Sequence, residues 1–144
     1  MYYALMKQFE HCLNLELRKA NRVLSQIYDS FLSPCGLKTS QFSILRAIKY
    51  LKNTTNSELQ DALVLDQTSL SRALKPLIRD GYIETRTGAD RRQKQLLLTR
   101  EGMSLYKTAE QLWLEAQTHV SAKLGPETKR SLLSMSEAVV ELKG

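Results

Sequence analysis

Five hydrogen-bonding side chains crowd one short stretch of the chain: Gln67, Thr68, Ser69, Ser71 and Arg72. Lys75 and Arg79 follow, and a second polar group, Asp90-Arg91-Arg92 with Lys94, comes after them. Hydroxyls, an amide and a forked guanidinium are the groups that read base edges, whereas lysines and outlying arginines neutralise phosphates. Charge is concentrated in the same place. Gln67 to Arg100 holds eight basic and three acidic residues, which is +5 of the chain's net +6. Such a cluster points to a polyanion-binding face. An ordinary solvated face would carry the same residue types, so the elements holding them have to decide.

Other chemistry finds little material. The sequence holds no nucleophile–base motif and no phosphate-binding glycine loop, so catalysis is not expected. The two cysteines, Cys12 and Cys35, form no CxxC pair, and His11 and His119 offer no zinc-ligand spacing. No metal or cofactor is expected, and both thiols read as small, semi-apolar residues. No apolar run approaches the roughly 20 residues that span a bilayer. The start, Met1 to Cys12, lacks a secretory layout and carries Glu10 and His11 where apolar residues would continue, so a cytoplasmic protein is expected. With 144 residues, 42% of them hydrophobic and 25% charged, the chain can bury the core of one globular domain.

The elements that must position these residues are mostly helical. Leu13, Leu17, Ala20, Leu24, Ile27 and Phe31 recur in steps of four and three, the spacing of a helix with an a/d seam. Ser33-Pro34-Cys35-Gly36 breaks that helix. A second starts near Thr39, carries Phe42, Leu45, Ile48 and Leu51 inward, and ends at Asn53-Thr54-Thr55. Thr55 to Glu58 fits a capping box for a short helix that buries Leu59, Ala62 and Leu63. Asp66 is placed to cap a further helix with Leu70, Leu74, Leu77 and Ile78 on one side, stopped by Gly81. Pro76 lies inside it and predicts a kink or loosened turn from about Arg72. Tyr82–Arg86 and Gln95–Thr99 then read as two strands joined by the polar tip Thr87 to Arg92. Thr99 can cap a long helix with Leu105, Ala109, Leu112, Ala116, Val120 and Leu124. Gly125-Pro126 separates it from a last one carrying Leu132, Leu133, Met135, Val139 and Leu142.

Short helix, tight turn, second helix, then a hairpin with a basic tip is the order of a winged helix-turn-helix. The second helix of that motif fits the major groove, and the wing follows the backbone or the adjacent minor groove. The expected fold is therefore mainly α with a small β-hairpin wing, flanked by N- and C-terminal helices.

The residues also resemble a known family. Asp90-Arg91-Arg92 followed by Leu96-Leu97-Leu98-Thr99-Arg100-Glu101-Gly102 looks like the wing signature of the multiple antibiotic resistance regulator (MarR) family. Gly36 to Phe42, Ser57-Glu58-Leu59, Thr68 to Arg72 and Gly81 to Glu84 match in order and spacing, so the resemblance covers nearly the whole chain. It implies a transcriptional regulator that binds a palindromic operator in double-stranded DNA as a homodimer, commonly a repressor released by a small-molecule effector. Residues 37–99 would form the DNA-binding region, and residues 1–35 and 100–144 the dimerisation region. Arg92 matches the wing arginine that enters the minor groove, and Asp90 matches the acidic partner that holds it, although Asp90 is also an ordinary turn residue. Arg91 and Lys94 then read as phosphate neighbours. Leu13, Leu17, Leu24, Leu132 and Val139 become candidates for dimerisation, against the alternative that the seam is ordinary core. Trp113 and Tyr106 fit either the interface or the core.

Some members of the family sense oxidants through a cysteine near the start of the first helix. Cys12 lies in that neighbourhood and Tyr28 matches the tyrosine that partners the reactive thiol. The sensors' cysteine itself falls on Asn14 and their second tyrosine on Thr39. An offset of two residues turns a helical side chain to nearly the opposite face. Cys12 is therefore a redox candidate that departs from the pattern, and an inert thiol is the alternative. A winged-helix module for protein–protein contact is the other alternative function.

Overall fold

The computed structural model describes residues 11–90 and 92–144. Arg91 and nearly all of the N-terminal stretch weighed as a possible leader lie outside the described residues. Helix α1, Leu13–Leu32, passes through a 3-10 turn, Ser33–Cys35, to α2, Thr39–Leu51. A two-residue strand β1, Thr54–Thr55, leads into α3, Asn56–Leu63, and α4, Gln67–Arg79. Strands β2, Ile83–Thr87, and β3, Lys94–Leu98, form the hairpin, and α5, Arg100–Glu141, completes the chain. The expected helix break falls inside α5, where Gly125 takes the non-helical angles φ 82, ψ 162.

The core forms where α2, α3, α4 and the sheet meet the first half of α5. Phe42, Ile44, Leu45 and Ile48 of α2 pack with Leu59, Leu70, Leu74 and Leu77, and Ile83 and Leu96 close the sheet side. Tyr106 and Ala109 reach in from α5, so one helix serves both this core and the outer layer it forms with α1. Tyr106 is fully buried and stacks on Phe42 at 5.6 Å between centroids, and Trp113 stacks on the same ring at 5.6 Å. Tyr106 is thus core, and the half-buried Trp113 packs against that core.

Several local expectations need correction. The polar stretch after α2 is a strand: Thr54 and Thr55 pair antiparallel with Leu96 and Gln95, giving a three-stranded sheet in the order β1-β3-β2. Only half of the capping box forms. Thr55 Oγ1 accepts from the Glu58 amide at 3.2 Å, but the Glu58 carboxylate accepts from the buried Thr54 hydroxyl at 2.9 Å. Ala62 is exposed because the eight-residue α3 turns only a narrow stripe inward, centred on Leu59. Leu51 and Ile78 stand 43% and 39% exposed at the last turns of their helices, where the core surface curves away. Helix α4 runs through Pro76 to Arg79 as one element, and its C-terminal turns carry the proline on a half-buried face. The strands lie one residue away from their expected limits, registered Ile83 with Leu98, Thr85 with Leu96 and Thr87 with Lys94.

Candidate nucleic-acid interface

Helix α4 is set by its first turn. Asp66 has extended backbone and its Oδ1 accepts from the Ser69 amide at 2.7 Å, which satisfies one of the orphan donors of a helix start. That bond holds the Asp66 carboxyl below its ordinary pKa. Leu70, Leu74 and Leu77 point inward at helical spacing. The opposite face therefore presents Gln67, Thr68, Ser69, Ser71, Arg72, Lys75 and Arg79, all exposed. The readers lie at the N-terminal end, where short side chains and free amides reach furthest, and the two outlying cations lie one and two turns along. Arg79 Nε donates to Asp80 Oδ1 at 3.1 Å, an exposed pair that orients the guanidinium without burying it.

The wing tip is ordered by its own backbone. The Gly88 amide donates to Gln93 O at 3.1 Å, and the Gln93 amide to Asp90 O at 3.0 Å. Asp90 Oδ1 accepts from the backbone amide of Arg92 at 3.1 Å. The carboxylate thus fixes the turn from which Arg92 projects, and no ion pair joins it to the Arg92 guanidinium among the described residues. On the strand behind, Arg86 donates to Glu84 at 2.9 Å. Asp90, Arg92 and Lys94 are exposed; Arg91 is not described.

One groove joins helix and wing. A cleft of about 500 Å³ is lined by Ser71, Lys75 and Arg79 of α4, by Thr85 and Lys94 of the hairpin and by Asn56, over Leu74, Ile78 and Leu96. Three cations from two elements thus surround an apolar floor. Gln67, Thr68, Ser69 and Arg72 share the helix face beyond this cleft, and Arg92 stands at the far tip. Asn56 and Thr85 were not read as site residues from sequence, and nothing local marks them; Ile78 was expected on the inward side of α4 and instead lies partly exposed in this cleft.

The terminal helices carry a different surface. Leu13 is 83% exposed, Leu17 39% and Val139 42%, while Leu24 and Leu132 are half-buried. Leu124, Leu133, Met135 and Val140 of α5 are exposed as well. Cys12 is an exposed free thiol at the N-cap of α1, and Cys35 is half-buried. No cluster of metal-ligating residues occurs among the described residues, and no described helix is long and apolar enough to cross a membrane.

A second cavity, about 490 Å³, opens where α1, α2 and α5 meet. Leu24, Tyr28, Thr39, Ser43, Trp113 and Gln117 are among its walls. The Tyr28 hydroxyl donates to Gln117 Oε1, and partial burial raises the Tyr28 pKa.

Comparison with known proteins bears on the family and the fold. The model of the MarR family matches residues 37–94. An uncharacterised HTH-type transcriptional regulator of Bacillus subtilis, YwoH, is 25% identical over 116 residues, covering 81% of this chain and 85% of its own. Among solved structures, the M. tuberculosis transcriptional regulator MosR in complex with DNA is 34% identical with a TM-score of 0.80, covering 93% of this chain and 100% of its own. A variant of MarR from E. coli, complexed with operator DNA, shares the fold at a TM-score of 0.79 and 23% identity, over 88% of this chain and 92% of its own.

Proposed function

This chain belongs to the MarR family of transcriptional regulators, and from that premise we propose that it binds a palindromic operator in duplex DNA as a homodimer and represses transcription there. The observation that carries the reading is the cleft between α4 and the wing, where Lys75, Arg79 and Lys94 converge beside the exposed polar N-terminal half of α4. Gln67, Thr68, Ser69, Ser71 and Arg72 are the base readers of this proposal. Lys75, Arg79 and Lys94 are its phosphate contacts, and Arg91 joins them on sequence grounds alone. Arg92, on a turn fixed by Asp90, is the minor-groove residue. A palindrome presents its half-sites about 34 Å apart, so two copies of α4 must be held at that distance. The apolar faces of α1 and α5, with Leu13, Leu17, Leu24, Leu132 and Val139, supply a surface for that pairing.

Salt dependence tests the DNA contact directly. Affinity for duplex DNA should fall steeply as salt rises, because each phosphate contact releases counterions. A slope near zero would replace the DNA reading with the protein-interaction module.

Release by a small molecule is favoured by one observation: the cavity at the α1–α2–α5 junction is walled by elements of both the pairing layer and the reading head. Trp113, the chain's one tryptophan, lines it. A ligand that displaces DNA should therefore change Trp113 fluorescence, and displacement with unchanged emission would place the ligand elsewhere. Oxidant sensing through Cys12 has less support. Cys12 and Tyr28 stand on opposite ends of α1, about 24 Å apart at the helical rise, so within one chain they are not partners. The Tyr28 hydroxyl is engaged by Gln117 instead.

A further inference from the structure

Helix α2 begins with a residue that cannot cap it. Lys38 occupies the N-cap, and an ammonium only donates, whereas the first amides of a helix need acceptors. One amide, that of Lys38, donates to Gln41 Oε1 at 3.0 Å. The next is satisfied from another helix: the Thr39 amide donates to Asp29 Oδ1 at 2.7 Å, and Asp29 is on α1. A carboxylate at a helix N-terminus also meets the positive end of the helix dipole.

The covalent link that this bond spans is a short 3-10 turn, Ser33–Cys35, closed by the Gly36 amide donating to Ser33 O at 3.0 Å, with Gly36 itself at φ 74. The side chain before Asp29 makes the complementary tie, since Tyr28 bonds Gln117 of α5. Consecutive residues of α1 therefore fasten it to two elements, α2 and α5. Helix α2 packs on α3, α4 and β3, and also on α5 and α1, so it joins the reading head to the pairing helices, and the Asp29 bond fixes its N-terminal end.

We infer that Asp29 is a positioning residue for operator recognition: by capping α2 across the Ser33–Gly36 turn it sets the angle between the pairing helices and the reading head, and with it the half-site spacing the dimer accepts. The inference rests on the proposed dimeric binding of a palindrome. It makes Asp29 act on the distance between two copies of α4 rather than on any base or phosphate.

The test uses the full chain. A palindrome is recovered from a random duplex library, and variants of it are made with one base pair added or removed at the centre, which moves the half-sites by about 3.4 Å and rotates them by about 35°. The wild-type chain should lose roughly a hundredfold in affinity on either change, comparable to the harsher single mismatches. Asp29→Ala should keep binding but spread its affinity over the three spacings, with differences under about tenfold. Asp29→Asn keeps an oxygen for the Thr39 amide and should restore the preference. General destabilisation lowers all three affinities together and leaves their ratio unchanged, so the ratio isolates positioning. An Asp29→Ala chain with the wild-type spacing preference overturns the inference and leaves the DNA reading standing. An Asp29→Ala chain that is monomeric by light scattering also overturns it, making the residue one of assembly. A wild-type chain that recovers no palindrome overturns the dimeric reading itself, without recourse to any variant.

Discussion

Gly102 is pressed against the backbone of Tyr82: a Cβ added to the glycine would stand 2.0 Å from the Tyr82 carbonyl oxygen. The same carbonyl accepts from the Thr99 amide at 3.1 Å. The Thr99 hydroxyl donates to Gly81 O at 2.6 Å and accepts from the Gly102 amide at 2.9 Å. The first turn of α5 is thereby stitched to the segment that leaves α4 for the wing. Because the obstacle is backbone, it cannot swing aside. Gly102→Ala should lower stability by about 2–3 kcal/mol, as overpacked sites do, measured by urea denaturation. A change within about 0.5 kcal/mol would mean that the helix shifts away at little cost.

Val64 closes α3 in the left-handed region, at φ 52, ψ 51, with 47% of its surface exposed. That conformation costs an L-residue roughly 1–2 kcal/mol, and a β-branched side chain is poorly suited to it. Val64→Gly relieves the strain but adds entropy to the unfolded chain, so stability should rise by about 0.5–1 kcal/mol. Equilibrium denaturation checks this, and a fall in stability would show that the Val64 side chain contributes more packing than its exposure implies.

Asp66 links the start of α4 to pH. Its carboxyl is held below the ordinary value of 3.8, chiefly by the hydrogen bond from the Ser69 amide. A depressed carboxylate contributes stability that is present above its unfolded pKa and is lost as pH falls through the lower folded one. Asp66→Ala should therefore be less stable than the wild type at neutral pH, with the two converging once pH drops below the usual carboxylate range. Thermal melts across that range decide the matter. A gap that stays constant in acid would assign the loss to something other than the ionised cap.

The wing and α4 should fail differently. Arg92→Ala is expected to weaken operator binding about tenfold with the dimer intact, since it removes a contact and no fold element. Asp90→Ala should mimic it, because the Arg92 amide then loses its acceptor. Lys75→Ala should weaken binding to all duplexes alike and reduce the salt slope by about one. Fluorescence anisotropy with operator and random duplexes separates the two patterns, and an unchanged salt slope would remove Lys75 from the phosphate contacts.

Much of this molecule was legible in residue spacing because its signals are local. The stripe Leu70, Leu74, Leu77 and the caps Asp66 and Thr99 announce themselves within one or two turns. What escaped depends on partners distant in the chain. Strand β1 is two residues long and acquires its identity only by pairing with Leu96 and Gln95, some forty positions on. Glu58 fits a capping box by position, but the Thr54 hydroxyl, buried in that strand, draws its carboxylate instead. Asp29 left no trace at all. A cap supplied from another helix has no sequence signature, and the lysine at the N-cap, Lys38, gives no local sign of one. At the interface, the α4 face was readable from periodicity, whereas Asn56 and Thr85 join it only through the packing of the hairpin.

Helix α5 has a further consequence, for thermodynamics. One helix gives Tyr106 to the core and then, past Gly125, presents Leu133, Met135 and Val139 to solvent in the single chain. The segment after Gly125 is mostly exposed in isolation, yet it continues the helix that gives Tyr106 to the core. If a second copy covers that face, association and folding are linked by mass action, and the midpoint of unfolding must climb with protein concentration. Dilution alone should then loosen the end of α5 first, before Tyr106 and its neighbours begin to exchange their amide protons.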